Sequence, residues 1–259
     1  MYRECRSLLR GLEILHAMNQ TGATAIPALS AHTGLHRTTV QRLLETLRTA
    51  GYVERSPAED GYRLTLRVRA LSEGFTDQLW VSEIAGPVLR ALFDEVVWPT
   101  DLYVLDGDCM LCRETTHRIS PMSVHRSMVG QRWPVMAGAA GRAYLAFSPE
   151  HERQALISVL ARSDLAENGV ARDGNAVSAL IRRTVRRGYA ESVGELEQKM
   201  SAIALPIRAG ERVLGCVSLV FFSSAMTPAE AARRHLRSLE KAVQTIEAVA
   251  AQRLGQPAS

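Results

Sequence analysis

The amino-acid sequence predicts an α+β chain: a small helical unit with a short ribbon, a connecting helix, and a larger domain of strands and helices. Three observations predict it. Apolar residues recur at helical spacing through residues 7–52, and the pattern changes to a period of two from Asp101. Charge is also uneven. Net charge is +4, yet in the first 55 residues arginine is opposed only by Glu4, Glu13, Glu45 and Glu54, while the remainder is close to neutral. With 259 residues, 46% of them hydrophobic, the chain can build two modest cores.

The first helix spans Ser7–Asn19, with Leu8, Leu12, Leu15 and Met18 assigned to one inward face. Ile26–Tyr52 reads as a helix, a tight turn at Gly34 and a second helix. Pro27 is tolerated in the first turn, and glycine takes the positive φ of the corner. Leu29 and Ala31 are assigned to the buried side of the first helix of this pair. Val40, Leu43, Leu44 and Leu47 stand at i, i+3, i+4 and i+7 on the second. Its other face shows His36, Arg37, Thr38, Thr39, Gln41, Arg42 and Arg48. Cations, hydroxyls and an amide near a helix N-terminus suit phosphates and base edges in a major groove. An ordinary amphipathic hairpin with a solvated basic face is the lesser alternative for this pair, and the next residues decide between them. Tyr52–Arg55 opens an extended run, Ser56–Gly61 is turn-rich, and Tyr62–Leu66 alternates like a strand. Helix, turn, helix and ribbon in this order form a winged helix-turn-helix, with Arg55 and Arg63 on the wing. The expected partner is double-stranded DNA.

Thr65–Trp80 reads as a linker helix despite Gly74, and Ser82–Val97 as a further helix bent at Pro87. The expected domains are therefore 1–65, a linker at 66–80, and 81–259. Four runs, DLYVLDG, CMLCRET, MSAIALPIR and VLGCVSLVFF, alternate like strands. Helices are expected near Ala139–Phe147, Pro149–Ala161 and Asn175–Gly188. A capping box at Thr227–Glu230 opens a last helix, Pro228–Arg253. Cys109 and Cys112 form a C-x-x-C inside a strand pattern, with only His117 near and no second pair at metal spacing. They read as small buried hydrophobes, and no metal or other cofactor is expected. No signal peptide opens the chain and no apolar run reaches the ~20 residues that span a bilayer, so no membrane association and a cytoplasmic location with reduced thiols are expected.

The chain resembles the IclR family of bacterial transcriptional regulators. The resemblance rests on GLHRTTVQRLLETLRTAGYVER, the linker LRVRALSEGF, PVMAGAAGRAYLAF and the paired strands ending in VSLVFF. It is sharper to one branch, the MhpR-like activators of 3-(3-hydroxyphenyl)propionate catabolism, in VVWPTD, RETTHR, HRSMVGQRWP and CVSLVFFSSAMTPAEAA. The resemblance implies a GAF-like effector domain, a homodimer or dimer of dimers on a palindromic operator, and an aromatic carboxylate as signal. An RNA-polymerase contact would follow for an activator. A repressor answering a small keto acid or another aromatic metabolite is the alternative it leaves open. The implied effector cup lies between the sheet and the loop Arg126–Gly141, with Gly138, Ala139 and Ala140 offering backbone N–H groups to a carboxylate. Met128, Met136, Leu219 and Phe221 are assigned to its apolar wall, with Ser192, Ser218 and Val220 at relatives' contact positions. The basic cluster Arg113, His117, Arg118, His125, Arg126 and Arg132 is either a set of cationic ligand contacts, with Arg113, His125 and Arg126 favoured, or a solvated rim or subunit-contact surface, and Arg142 is expected to point outward.

No G-x-S-x-G, G-K-[ST] or H-E-x-x-H occurs, and GAAG lacks a preceding strand, so an enzyme is not expected. A ligand-free structural DNA binder would spread its basic charge along the chain; here it is concentrated at one end.

Overall fold

The computed structural model describes residues 4–21, 25–56, 61–71, 81–125 and 127–254. The chain divides into two compact units, Met1–Asp77 with His125–Ser127, and Gln78–Val124 with Met128–Ser259.

The first unit contains α1 (Arg6–Thr21), α2 (Ile26–Thr33), α3 (Arg37–Thr49), the ribbon strands β1 (Val53–Arg55) and β2 (Tyr62–Leu64), and α4 (Leu66–Ala70). Ile14, Leu15, Ala17 and Met18 of α1 meet Leu29, Val40, Leu44, Val53 and Tyr62 in one core. Gly34 turns the chain at φ +69°, where a β-carbon would be strained. Ala31, assigned to the buried side, is exposed. It stands two residues from Leu29, about 200° around the helix, and so faces the other way. Burial in α1 begins at Ile14, so Leu8 and Leu12 carry their side chains outside the core, 61% and 52% exposed. β1 and β2 pair antiparallel, Glu54 opposite Arg63. Ser56 N–H donates to Gly61 O across the wing turn, whose tip falls outside the described residues. Thr65 caps α4, its hydroxyl accepting from Arg67 N–H. The expected linker beyond residue 71 also lies outside them.

The second unit is a six-stranded antiparallel sheet between two helical layers. Its strands are β3 (Thr100–Asp106), β4 (Cys109–Thr115), β5 (Arg132–Pro134), β6 (Ala190–Val193), β7 (Met200–Ala209) and β8 (Arg212–Phe222), in the order β5-β4-β3-β8-β7-β6. The helices are α5 (Gly86–Val96), α6 (Ala139–Phe147), α7 (Glu150–Leu160), α8 (Gly174–Arg187) and α9 (Pro228–Leu254), with a 3-10 turn at Ala166–Arg172. The helix expected over Ser82–Val97 with a bend at Pro87 is present: a π-helical turn, Val81–Ala85, runs directly into α5. Pro87 lacks the N–H that a regular α-helical ladder would need, and the helix changes from π to α beside it. Thr227 and Glu230 form the expected box at the start of α9: Thr227 N–H donates to Glu230 Oε2 at 2.8 Å, and Glu230 N–H to Thr227 Oγ1 at 3.3 Å.

Strand alternation divides the sheet into two cores. Leu102, Val104, Ile203, Leu205, Val217, Leu219 and Phe221 pack with α5 and α9. Tyr103, Met110, Cys112, Ala204 and Cys216 pack with α6, α8 and the loop ahead of α6. Leu219 and Phe221, assigned to the effector wall, therefore face the opposite layer, because odd and even positions of β8 point to opposite sides. Among the described residues no helix is long and apolar enough to cross a membrane.

Candidate DNA-reading face and effector cup

On α3, Val40 and Leu44 are buried while His36, Arg37, Thr38, Gln41, Arg42 and Arg48 are exposed and Thr39 is half-buried. His36 is the N-cap, with Nδ1 2.9 Å from Thr38 Oγ1 and accepting from Thr38 N–H. Among the described residues Arg37 and Arg42 have no carboxylate partner. Their charge is available to an incoming polyanion.

The wing cations differ. Glu45 gathers Arg48 (Nε–Oε2 2.8 Å), Arg55 (Nη2–Oε1 3.4 Å) and the buried Tyr62, whose hydroxyl donates to Oε1 at 2.7 Å. The hydrogen bond from Tyr62, then that from Arg48, pulls the Glu45 carboxyl down to about 2. Burial, then the facing carboxylate, pushes the Tyr62 phenol up. Arg55 also lies over the Tyr62 ring at 5.2 Å, and Arg63 Nε donates to Glu54 Oε1 at 2.6 Å. Both wing arginines remain exposed, but each is already held by an acid.

In the second unit, cross-strand pairs set three rows on the sheet face that meets α6. Cys112, Tyr103, Cys216 and Pro206 form the first, and Thr115, Asp101, Ser218, Ala204 and Ala190 the second. Val220, Ala202 and Ser192 form the third. Ser192, Ser218 and Val220 share one face, and Met128, Met136, Ala139 and Ala140 belong to the core against it. Gly138 is the N-cap of α6, and no side chain caps that end. Arg113 is half-buried at the bulge where β4 slips against Leu102 and Tyr103, out of register with these rows. His125 groups with the first unit. Arg126 lies outside the described residues.

Arg142 does not point outward. Its side chain is 14% exposed and ties three segments together: Nε donates to Met136 O at 2.9 Å, Nη1 to Glu191 O at 2.8 Å, and Nη2 meets Glu195 Oε1 at 2.9 Å. The backbone acceptors Met136 and Glu191 become neighbours of α6 only through the fold, so helical spacing gave no sign of them. The same loop is held from below by the buried Asn168, whose Oδ1 accepts from Met136 N–H while Nδ2 donates to Asp108 O and Ser163 Oγ.

Sequence reading also missed a buried polar cluster at the sheet centre. Asp101 Oδ1 accepts from Thr115 Oγ1 at 2.6 Å and Oδ2 from Tyr103 O–H at 3.2 Å, with His117 Nε2 3.4 Å from Oδ2. His117 Nδ1 lies 2.5 Å from Ser123 Oγ. Burial first, and Asp101 second, raises both the Tyr103 phenol and the Cys112 thiol well above their ordinary values. Burial likewise raises Cys109, so neither thiol of the C-x-x-C is poised as a thiolate. Among the described residues no three His, Cys, Asp or Glu side chains are grouped to hold a metal.

Comparison with known proteins agrees with these two units. Residues 7–57 match the model of the IclR helix-turn-helix domain, and residues 74–248 the model described as bacterial transcriptional regulator IclR C-terminal. KipR of Bacillus subtilis, an HTH-type transcriptional regulator, is 27% identical over 88% of this chain and 90% of its own length. YiaJ of Escherichia coli, a DNA-binding transcriptional repressor, is 30% identical over 78% and 72%. An IclR homolog from Microbacterium hydrocarbonoxydans, solved with 4-hydroxybenzoate, superposes with a TM-score of 0.60 at 22% identity, covering 93% of this chain and 98% of that one. The matched domains and relatives are transcriptional regulators, not enzymes.

Proposed function

The chain belongs to the IclR family of bacterial transcriptional regulators, and from that premise we propose that it controls an aromatic-acid catabolic operon as an activator. It is a ligand-responsive DNA-binding regulator. The observation that carries the DNA half is the exposed Arg37–Arg42 surface opposite the buried Val40 and Leu44. Two such helices reach successive major grooves of a palindromic operator when the chain pairs with a second copy. Leu8, Leu9 and Leu12 on α1, with Leu66 and Leu71, expose apolar surface beside this reader that suits a homodimer contact, and a dimer of dimers extends it.

The effector half is supported by the uncapped start of α6 against a sheet face of small and polar side chains. A helix N-terminus holds unsatisfied N–H groups and the positive end of its dipole, which suits a carboxylate. The MhpR-like segments, and the aromatic acid bound by the Microbacterium homolog, favour an aromatic skeleton. Effector binding would favour one spacing of the paired readers over another, and in an activator that spacing presents a surface to RNA polymerase. YiaJ, named as a repressor, favours the opposite sign as a second reading. A reporter driven by the operator DNA, with and without the chain and an aromatic acid, separates them: activation requires expression to rise only when both are present.

A further inference from the structure

The second half of α8 carries four arginines, Arg182, Arg183, Arg186 and Arg187, and the helix has no acid anywhere along its length. Arg187 is paired with Glu191 on β6. On the neighbouring α7, Glu150 is held by Arg153 at 2.8 Å and by Gln154 at 2.7 Å. Arg182, Arg183 and Arg186 are left exposed, with no hydrogen bond or carboxylate partner among the described residues. Helix stability does not account for them. Arg182 and Arg186 stand four residues apart, as do Arg183 and Arg187, and like charges at that spacing repel. A helix C-terminus favours cations only within its last turn, which explains Arg186 and Arg187 but not Arg182 and Arg183. Nor is the face purely cationic. Around the helix, Val177, Ile181 and Val185 run into Arg182, Arg186 and Arg183 in that order. Val185 is 51% exposed, and a groove of about 340 Å³ between α7 and α8 passes Arg182 over Ile157, Val177 and Ile181.

We propose that this outer face of α8 docks an acidic, partly apolar surface of another protein, and that it is the face through which the chain contacts RNA polymerase. This rests on the activator reading above and assigns a place to the contact that reading requires. Charge complementarity sets the partner's sign: three unpaired guanidinium groups on one helix call for carboxylates. Guanidinium forks match carboxylates in two parallel hydrogen bonds and hold water less tightly than ammonium groups, which is why protein interfaces are rich in arginine and poor in lysine. α8 has four arginines and no lysine. The phosphate backbone of DNA would also take forked arginines, but it offers Ile181 and Val185 nothing to pack against. A protein surface with carboxylates set beside an apolar side chain satisfies both halves of the seam.

Transcription from the operator promoter, reconstituted with RNA polymerase holoenzyme, the full chain and an aromatic acid, tests the assignment with no other protein present. The triple variant Arg182→Ala, Arg183→Ala and Arg186→Ala should cut ligand-dependent transcription about ten-fold, the loss expected of three exposed ion pairs. Arg182→Glu with Arg186→Glu should abolish it, and Arg182→Lys with Arg186→Lys should keep most of it, because the charge remains. In all three variants operator affinity by fluorescence anisotropy and the thermal midpoint should stay at wild-type values, since these side chains have no partner within the fold. Full transcription in the triple variant overturns the proposal. Transcription lost together with operator affinity overturns it in favour of a DNA contact, and a lowered thermal midpoint overturns it in favour of a structural role. If the wild type itself does not raise transcription with any aromatic acid, the activator reading fails and the proposal falls with it.

Discussion

Gly141, in the first turn of α6, lies so close to the backbone of Val135 that a Cβ there would fall 2.1 Å from the Val135 carbonyl oxygen. The obstacle is main chain, which cannot rotate aside. Gly141→Ala must push the loop before α6 away from the helix, and overpacking of this kind costs about 1–3 kcal/mol or more. Chemical denaturation should show the second unit destabilised by at least that amount. An unchanged midpoint would mean that the loop does not fold back over the helix start.

Arg142 holds the same loop from its other side. Arg142→Ala strands the Met136 and Glu191 carbonyls in a half-buried site, and Arg142→Lys supplies one donor group where three nitrogens are used. Each unmade bond of this type costs about 1–3 kcal/mol. The alanine variant should unfold at clearly lower denaturant, the lysine variant should recover only part of the loss, and full recovery would contradict the forked geometry.

Ala140→Trp places a large ring on the face of α6 that packs toward the sheet, where Ala140 is 6% exposed. It should abolish the response to an aromatic acid while leaving operator binding without ligand unchanged. A full response in this variant places the effector elsewhere.

Acid should loosen the reader through Glu45. Its folded carboxyl titrates near 2 and the free side chain near 4.5, so the stabilisation is complete above about 4.5 and is lost as pH falls toward 2. Glu45→Gln removes that titration. Denaturation of the two proteins from pH 6 to pH 3 should give a flatter profile for the glutamine variant, and parallel profiles would contradict the linkage.

The N-terminal unit was legible in sequence because helical period, a corner glycine and turn chemistry agree over a short span. Its errors were geometric: Ala31 fails by its angle from Leu29, and Leu8 and Leu12 fail because the core of α1 begins at Ile14. β5 and β6 were missed because three- and four-residue edge strands are too short to display alternation. Ser192, Ser218 and Val220 emerged on one face because period-two spacing survives folding, and the same rule excludes Leu219 and Phe221. Asp101 and His117 gave no local signal. An acid within an alternating run reads as a solvent-facing position, and only pairing with β4 and β8 reveals it as buried. Arg55 and Arg63 were recognisable as wing cations, but Glu45 and Glu54, which hold them, are contacts of the folded ribbon.

The central claim is that the Arg37–Arg42 surface reads DNA under control of a ligand bound in the other unit, and operator affinity measured by fluorescence anisotropy across a salt series tests it most directly. Arg42→Ala should weaken binding and reduce the salt slope by about one unit, as loss of one phosphate contact does. Thr39→Ala should weaken binding as well, and Arg63→Ala should weaken it less than Arg42→Ala. A saturating aromatic acid should shift wild-type affinity about 5–150-fold. Unchanged affinity and slope in Arg42→Ala, together with no shift at saturating ligand, would contradict the account.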